Sequence, residues 1–408
     1  MTTMIEGQGI AVYANSAADA ADTPYGDKRA GVLNAAGFDA AEKEITQWPG
    51  YQPTPMHMLP GLAAELGIEA LFYKDESTRF TLKSFKALGG AYAVFRLIQQ
   101  AIANAHDGYL ATPADVLSGK YRDIVSQLTV TCATDGNHGR SVAWGAQTFG
   151  CHCVIYVHAT VSQGRADAIA AFGAEVIRVP GNYDESVRHA AEQAEQHGWT
   201  VVSDTTYEGY RDIPIDVMHG YGVMSREMIR QLDFEPPTHV IVQAGVGAFA
   251  SSVCAAFWQQ WGARRPRFIV VEPTEAACLF ESGLVGHPVA VGGELDTVMA
   301  GLACGEVSPV AWEILVGGTN DFVKLDDAYA LEGMKRFANP VAGDPAIVSG
   351  ETGTTGLGVL LAAKKTEAVW HALGLSPDSR VLILGSEGDT DPKIYEQVVG
   401  RTASEVVA

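Results

Sequence analysis

Short apolar runs of strand length alternate with amphipathic segments of helix length along most of this chain. The clearest apolar runs are residues 128–135, 153–159, 239–245, 267–273 and 380–388. Strands that are buried on both faces read as continuous Val/Ile-rich runs, so this alternation predicts a mostly parallel sheet with helices on both sides. The fold class expected is therefore α/β. In such sheets, ligands bind where loops follow the carboxyl ends of the strands.

Composition excludes several classes of partner. The formal charge of −20 argues against nucleic acid or an anionic membrane, because both would repel the protein. No run of roughly 18 apolar residues predicts a membrane span, and the N-terminus lacks a basic start followed by an apolar run. The six cysteines contain no C-x-x-C pair, and the histidines have no ligand spacing, so no metal site is predicted. The expected location is the cytoplasm.

The stretch RFTLKSFKALGG, residues 79–90, carries two lysines. Ser84 is the predicted N-cap of a helix over residues 84–105, which puts Lys86 in the first turn and Lys83 outside the helix. The helix dipole disfavours a cation at this end, and burial beside Phe85 would lower the pKa of Lys86 further. Both effects favour the neutral amine, which is the form that attacks an aldehyde. For Lys83 we expect a surface role.

A second motif predicts a phosphate site. The strand HVIVQA is followed by Gly245-x-Gly247-x-x-Ala250 and a helix, an arrangement that brings backbone N–H groups to an anion. The motif matches the dinucleotide fingerprint, and Glu272 ends the next strand, so an NAD-dependent dehydrogenase is a serious alternative. Against it, the motif lies in mid-chain, and Pro273 leads the chain away from the usual ribose loop. A ligand with one phosphate would use the same loop.

The motifs together resemble those of fold-type II pyridoxal-phosphate (PLP) enzymes, the group of threonine dehydratase and cysteine synthase, and within it the diaminopropionate ammonia-lyases. The resemblance runs from about residue 50 to residue 393. It is carried, in chain order, by KDESTRFTLKSFKALGG, ATDGNHGRSVAWGA, NYDESV, SDTTYEGY, QAGVGAFA, MAGLACGE, SGETG and SEGDTDP. It implies two parallel-sheet domains with PLP in the cleft between them, and a homodimer. We expect a large domain of residues 1–89 and 205–408, in which residues 1–45 are an irregular arm, and a small domain of residues 90–204.

The resemblance also implies roles for individual residues. Lys86, with Phe85 beside it, would form the Schiff base with PLP, and Ser386 would face the pyridine nitrogen. Asn137 would bond the phenolic oxygen of the cofactor. The phosphate would lie on the N–H groups of Gly245, Val246, Gly247 and Ala248. The substrate would contact Thr134, Asp135, Gly136, His138, Tyr210, Ser349 and Glu351.

The implied reaction is α,β-elimination of ammonia from 2,3-diaminopropionate, through aminoacrylate, to pyruvate and a second ammonia. Asp135 stands where the dehydratases commonly have serine. It would bind a second ammonium or act as a second base, and Asp204 is the other candidate for either role. Both aspartates would otherwise serve only as caps satisfied by backbone amides. A serine/threonine or hydroxyaspartate dehydratase is the alternative within PLP chemistry, and a non-catalytic binding protein the alternative without PLP. Cys278 and Cys304 would approach each other near the site entrance, and two free thiols are expected in a reducing cytoplasm.

Overall fold

The structure is a computed structural model that describes residues 4–134, 136–181 and 183–408. The chain divides into two compact units. The first unit comprises the residues up to Ala35 together with Pro53–Lys83 and Met224–Ala408, and the second unit comprises Ala36–Gln52 and Ser84–Val223. The predicted domain boundaries near residues 90 and 204 remain a prediction.

The strands alternate with helices as the apolar pattern predicts. The strands are β1 (Met4–Gly7), β2 (Ile10–Ala14), β3 (Met56–Met58), β4 (Ala70–Asp75), β5 (Thr129–Ala133), β6 (His152–His158), β7 (Glu175–Val179), β8 (Thr200–Val201), β9 (His239–Gln243), β10 (Arg267–Pro273), β11 (Asp321–Leu325) and β12 (Arg380–Gly385). The α-helices are α1 (Gly26–Ala30), α2 (Ala35–Ile45), α3 (Pro60–Leu66), α4 (Lys86–Ala105), α5 (Pro113–Leu117), α6 (Arg122–Val125), α7 (Asn137–Phe149), α8 (Gln163–Ala170), α9 (Tyr183–His197), α10 (Asp212–Gln231), α11 (Ala248–Trp261), α12 (Cys278–Val285), α13 (Pro309–Gly318), α14 (Asp327–Ala338), α15 (Thr355–Lys365), α16 (Glu367–Ala372), α17 (Pro392–Val399) and α18 (Ala403–Val406).

The sheet of the first unit has, among the described residues, the strand order β1-β2-β11-β10-β9-β12-β4-β3. Its five central strands are parallel, and β1, β2 and β3 are antiparallel additions. Ile383 of β12 lies opposite Ile241 of β9, and Gly385 lies opposite Asp75 of β4. The loops that follow β4, β9 and β12 therefore leave the sheet at one edge, where the sequence predicts ligand-binding loops.

Continuous apolar runs make these central strands buried on both faces. Ile241, Ile269 and Ile383 face one side, where residues of α3, α15 and α16 complete a hydrophobic core. Val240 and Val242 alternate to the opposite side and are equally buried. The second unit has its own parallel sheet, in the order β7-β6-β5-β8 among the described strands.

Two details of the sequence-based prediction are wrong. The helix after Ser84 begins at Lys86, not at residue 84, and the Ser84 Oγ accepts a bond from the Lys86 N–H at 3.3 Å. Residues 4–45 also contain more than an irregular arm, because they form β1, β2, α1 and α2. β2 extends the sheet by pairing with β11, a strand that the sequence analysis did not identify. No helix in the described parts of the chain is both long and apolar enough to cross a membrane.

The glycine pair after Lys86 allows other helices to approach α4 closely. A Cβ on Gly89 would lie 2.4 Å from the Tyr221 ring, and one on Gly90 would lie 2.6 Å from Ser141 Oγ. The buried Ser141 hydroxyl donates to the Lys86 carbonyl at 2.6 Å and accepts from the Ala91 N–H at 3.0 Å. The start of α4 is therefore fixed against α7 by short contacts that any larger residue would disrupt.

This contact predicts that Gly90→Ala destabilises the protein. Alanine favours a helix by up to about 1 kcal/mol over glycine, but overpacking against Ser141 costs about 1–3 kcal/mol, so we expect a net loss. Urea unfolding measures the difference. Gly164→Ala in α8 is the matched control, because no atom lies within 4 Å of its new Cβ and its stability should stay equal or rise. A Gly90→Ala protein as stable as the Gly164→Ala protein would contradict the close-contact interpretation.

Candidate active site

Lys86 lies at the first position of α4, in the second unit. Its side chain is 20% exposed, and its Nζ lies 5.5 Å from the centre of the Phe85 ring and 5.8 Å from that of Tyr221. The amine is thus enclosed by aromatic faces on the protein side and still reachable from solvent. Partial burial beside Phe85 agrees with the sequence, whereas the neutral amine and the covalent role of Lys86 stay predictions.

Asp204 is the charged partner of Lys86. One of its carboxylate oxygens, Oδ2, lies 2.5 Å from Lys86 Nζ, and the Asp204 side chain is 18% exposed. Burial raises the pKa of Asp204, but the Lys86 ammonium and His138 outweigh burial, and the pKa lies well below its ordinary value. The ion pair therefore favours the ionised form of the Asp204 carboxylate. The sequence analysis considered Asp204 as a base or ammonium binder and did not foresee its pairing with Lys86.

The loop before α7 is organised by Thr134 at the end of β5. The buried Thr134 Oγ1 accepts bonds from the N–H groups of Gly136 and Gly139, both at 3.1 Å. The Gly136 N–H is therefore engaged within the loop. His138 contacts the Val202 carbonyl through Nε2 at 2.8 Å, which ties the loop to the end of β8, and Asn137 begins α7. Asp135 lies outside the described residues.

Tyr210 supports the loop that carries Asp204. Its hydroxyl accepts a bond from the Ser203 N–H and donates to the Val201 carbonyl, both at 2.9 Å. The Tyr207 ring stacks on the Tyr210 ring, with centroids 4.8 Å apart. The hydroxyl on which a substrate contact would depend is thus bonded on both sides to the backbone next to Asp204.

The glycine loop of the first unit joins β9 to α11. Gly247 has a left-handed backbone with φ +95°, and a Cβ on Gly245 would lie 2.9 Å from Cys304 Sγ, so both positions require glycine. Ser308 N–H donates to the Val246 carbonyl at 2.9 Å and holds the loop from behind. Among the described residues, the N–H groups of Gly245, Val246 and Gly247 have no hydrogen-bond acceptor.

A neighbouring loop follows β12 and presents Ser386. The buried Ser386 Oγ accepts a bond from Gln243 Nε2 at 2.8 Å. The same amide nitrogen donates to the carbonyls of Leu384 at 2.8 Å and Thr352 at 3.2 Å. Gln243 thus joins three loops, and the sequence analysis missed it. A glutamine that ends the otherwise apolar strand HVIVQ is the signal that could have identified it.

The SGETG loop lies against the Ser386 loop. The buried Ser349 hydroxyl bonds to the carbonyls of Gly350 at 3.3 Å and Glu387 at 3.5 Å. Glu351 is buried, and its carbonyl accepts a bond from Thr354 Oγ1 at 3.1 Å. Both residues that the resemblance assigns to this loop are therefore in the first unit, and Ser349 contacts the residue that follows Ser386.

Comparison with known proteins identifies the family. Residues 47–384 match the family described as pyridoxal-phosphate dependent enzyme. The chain belongs to this family. The diaminopropionate ammonia-lyase of Escherichia coli (strain K12) is 42% identical over 357 residues, which cover 86% of this chain and 88% of that protein. A crystal structure of the holo E. coli diaminopropionate ammonia lyase matches with a TM-score of 0.86 and 37% identity, covering 97% of this chain and 98% of that chain. Another, in complex with an aminoacrylate-PLP azomethine reaction intermediate, matches with a TM-score of 0.84.

The residues of the first unit fit the cofactor of this PLP-dependent family. The unpaired, half-buried or buried N–H groups of Gly245–Gly247 at the start of α11 form an anion site, as the phosphate requires. Ser386 accepts from Gln243 and so retains its own O–H to donate to a ring nitrogen. A neutral hydroxyl would be a weak partner for that nitrogen, and such a partner suits elimination better than transamination.

Glu272 gives a direct reason against the dehydrogenase alternative. Its carboxylate is fully buried and accepts bonds from the N–H groups of Leu279 at 2.8 Å and Phe280 at 2.7 Å. Both oxygens are thus used to hold the start of α12, and neither is presented to a ribose. The residue that made the dinucleotide interpretation attractive has a structural role in this PLP enzyme.

The two cysteines near the glycine loop are free thiols. Cys278 Sγ approaches the Gly245 carbonyl at 3.7 Å, and burial raises its pKa well above the ordinary value. Within residues 4–134, 136–181 and 183–408, no cluster of His, Cys, Asp and Glu could hold a metal ion.

The ion pair of Lys86 predicts a pH-dependent effect of Asp204→Asn. The pKa of Asp204 is lower in the folded than in the unfolded protein, so its carboxylate stabilises the fold above the ordinary pKa of 3.8. That contribution is lost as the pH falls towards the folded pKa. After removal of PLP, we expect Asp204→Asn to lower the free energy of unfolding by about 1–3 kcal/mol at pH 7. Urea unfolding at a series of pH values should show the difference shrinking below pH 4; a difference that grows on acidification would contradict the pairing.

Proposed function

We propose that this PLP-dependent enzyme eliminates ammonia from 2,3-diaminopropionate and forms pyruvate and two molecules of ammonia. The observation that carries the proposal is the position of Lys86 at the start of α4, with its Nζ on the Asp204 carboxylate and open to solvent on one side. The likeness to diaminopropionate ammonia-lyases over most of the chain selects the substrate among those that such a lysine serves.

Each residue of the site has a proposed task. Lys86 would hold PLP and remove the proton from the α-carbon, and PLP, when bound, supplies the electron sink for that step. The loop from Thr134 to His138 would bind the substrate carboxylate at the start of α7, where the helix dipole favours an anion. Asp204 would keep the Lys86 amine in place before and after the proton transfer.

The remaining residues complete the proposal. Gly245, Val246, Gly247 and Ala248 would bind the phosphate, Ser386 the ring nitrogen and Asn137 the phenolic oxygen. Tyr210 would act on the substrate through the Asp204 loop, given that its hydroxyl already has two backbone partners. We also propose, from the resemblance to fold-type II enzymes, that the protein is a cytoplasmic homodimer; its mass in solution from light scattering tests the dimer.

The proposed function predicts a specific product and a specific labelled residue. Purified protein should be yellow, borohydride should fix a pyridoxyl group on the peptide that contains Lys86, and diaminopropionate should yield pyruvate. We expect Lys86→Ala to lose this labelling and at least about a thousandfold of the activity, whereas Lys120→Ala, at a lysine outside the site, should keep both. Release of pyruvate from serine, or of 2-oxobutyrate from threonine, at an equal rate would favour the dehydratase alternative, and a colourless protein would contradict PLP chemistry.

Asp135 predicts how the two enantiomers of the substrate react. A carboxylate that acts as a base on one face of the α-carbon serves one enantiomer, whereas one that only binds the second ammonium serves both. If it is the base, we expect Asp135→Asn to lower kcat for one enantiomer by about 100-fold or more and to change the other little. Separate kcat and KM values for D- and L-diaminopropionate decide the matter. Equal losses in kcat/KM for both enantiomers would leave ammonium binding as its role.

A further inference from the structure

The segment that leads to Lys86 has a strained backbone. Phe80, Thr81 and Lys83 are not glycines, yet their φ angles are +46°, +64° and +60°. A left-handed conformation costs about 1–2 kcal/mol for such a residue and persists only where the surroundings impose it. Three of the four residues from 80 to 83 have this conformation, so strong contacts with the surrounding protein must hold this stretch.

One part of those contacts is a buried charge network in the first unit. Arg79 bonds Glu76 at 2.8 Å and Glu227 at 2.7 Å, and Lys74 bonds Glu227 at 2.8 Å. The side chains of all four residues are at most 1% exposed. Because each charge has close partners, displacing Arg79 would leave a buried carboxylate unpaired at a cost of several kcal/mol. The segment is thus a rigid support up to residue 79.

The other part joins this support to the Ser386 loop. The Lys83 carbonyl accepts a bond from the Gly388 N–H at 2.9 Å. Lys83 Nζ bonds both carboxylate oxygens of Asp389, at 2.8 and 2.9 Å. A Cβ on Gly388 would lie 2.7 Å from the Cβ of Ser77, so the loop is also in close contact with the segment. Lys83 is 41% exposed at its side chain and Asp389 is 11% exposed.

On its far side, the same loop contacts the SGETG loop. Gly350 N–H donates to the Glu387 carbonyl at 3.1 Å, and Thr352 N–H donates to Glu387 Oε1 at 3.3 Å. The residues after Ser386 are therefore held on two sides. The Lys83 side joins them to the segment that the buried network makes rigid.

We propose that Lys83 is a positioning residue, which with Asp389 forms a latch that holds Ser386 against the ring nitrogen of PLP. The inference rests on the proposed role of Ser386. A hydrogen bond weakens steeply with displacement, so a loosened loop lowers the affinity for PLP and alters the electronic state of its ring. The competing explanation is an ordinary half-exposed ion pair, which contributes only about 0–1 kcal/mol to stability and nothing to the cofactor.

The experiment compares four variants of the holoenzyme. Lys83→Met keeps the aliphatic stem and removes the charge, Asp389→Asn removes the partner, the double variant closes a thermodynamic cycle, and Lys83→Arg tests rescue. Lys365→Met is the control, because Lys365 also forms a half-exposed pair, with Glu332 at 3.1 Å, elsewhere in the first unit. The readouts are the dissociation constant for PLP, the visible absorption of bound PLP, and kcat and KM separately.

For Lys83→Met and Asp389→Asn, we expect a rise of about 3- to 10-fold in the PLP dissociation constant and a shifted absorption band. We expect a fall of similar size in kcat, with KM changed little. The double variant should lose no more than either single one, because both remove the same interaction. Lys83→Arg should restore most of the affinity, and Lys365→Met should match the wild type.

Two results would overturn the latch. One is a normal PLP dissociation constant and absorption band in both Lys83→Met and Asp389→Asn. The other is an additive double variant, which would mean that the two residues act independently. If the wild-type protein itself binds no PLP or releases no pyruvate, the proposed function fails first. If the wild-type protein binds PLP and releases pyruvate but the Lys83 and Asp389 variants behave like Lys365→Met, the proposed function stands and the latch is wrong.

Discussion

The close contact between α4 and α7 determines the arrangement of reactive groups in the second unit. Ser141 of α7 bonds the carbonyl of Lys86 and the N–H of Ala91, and a Cβ on Gly145 would lie 2.8 Å from the Ala91 Cα. Two helix N-termini are thereby held side by side, one presenting Lys86 and the other presenting Asn137 and His138. Asp204 then joins the first to the end of β8 through the Lys86 ion pair. Small residues at the contact are what allow this proximity.

In the first unit, several loops are aligned along one edge of the sheet. Parallel strands give the common edge, but side chains set the loop positions. Gln243 shares one amide group among Ser386, Leu384 and Thr352, and Lys83 adds the bond to Asp389. An amide nitrogen with three acceptors and a buried charge network fix positions more firmly than apolar packing does, since both are directional. Loops fixed in this way suit PLP, which is a rigid cofactor with a phosphate at one end.

The sequence predicted the central strands, the loops that follow them and the position of Lys86 in the first turn of a helix, because each depends on local pattern. It did not predict β11, whose run DFVKL contains two charged residues, nor β2, which pairs with β11, nor β1, which pairs with β2. It also assigned Lys83 to the surface. Partners of Lys83 and Asp204 lie 306 and 118 residues away in the chain, and no spacing rule reaches so far. The cap at Ser84 was misplaced because helix starts are the least certain boundaries in a sequence.

The left-handed backbone at Phe80, Thr81 and Lys83 also limits which substitutions this segment tolerates. Threonine is β-branched, and phenylalanine and lysine are bulky, so each tolerates a positive φ poorly compared with glycine or asparagine. Replacement of Lys83 by asparagine would relieve local strain but would exchange a long cation for a short neutral amide. A substitution at position 83 therefore either lowers the backbone strain or keeps the charged partner of Asp389. A sequence that keeps Lys83 keeps the strained backbone together with the ion pair to Asp389, which lies 306 residues away in the chain.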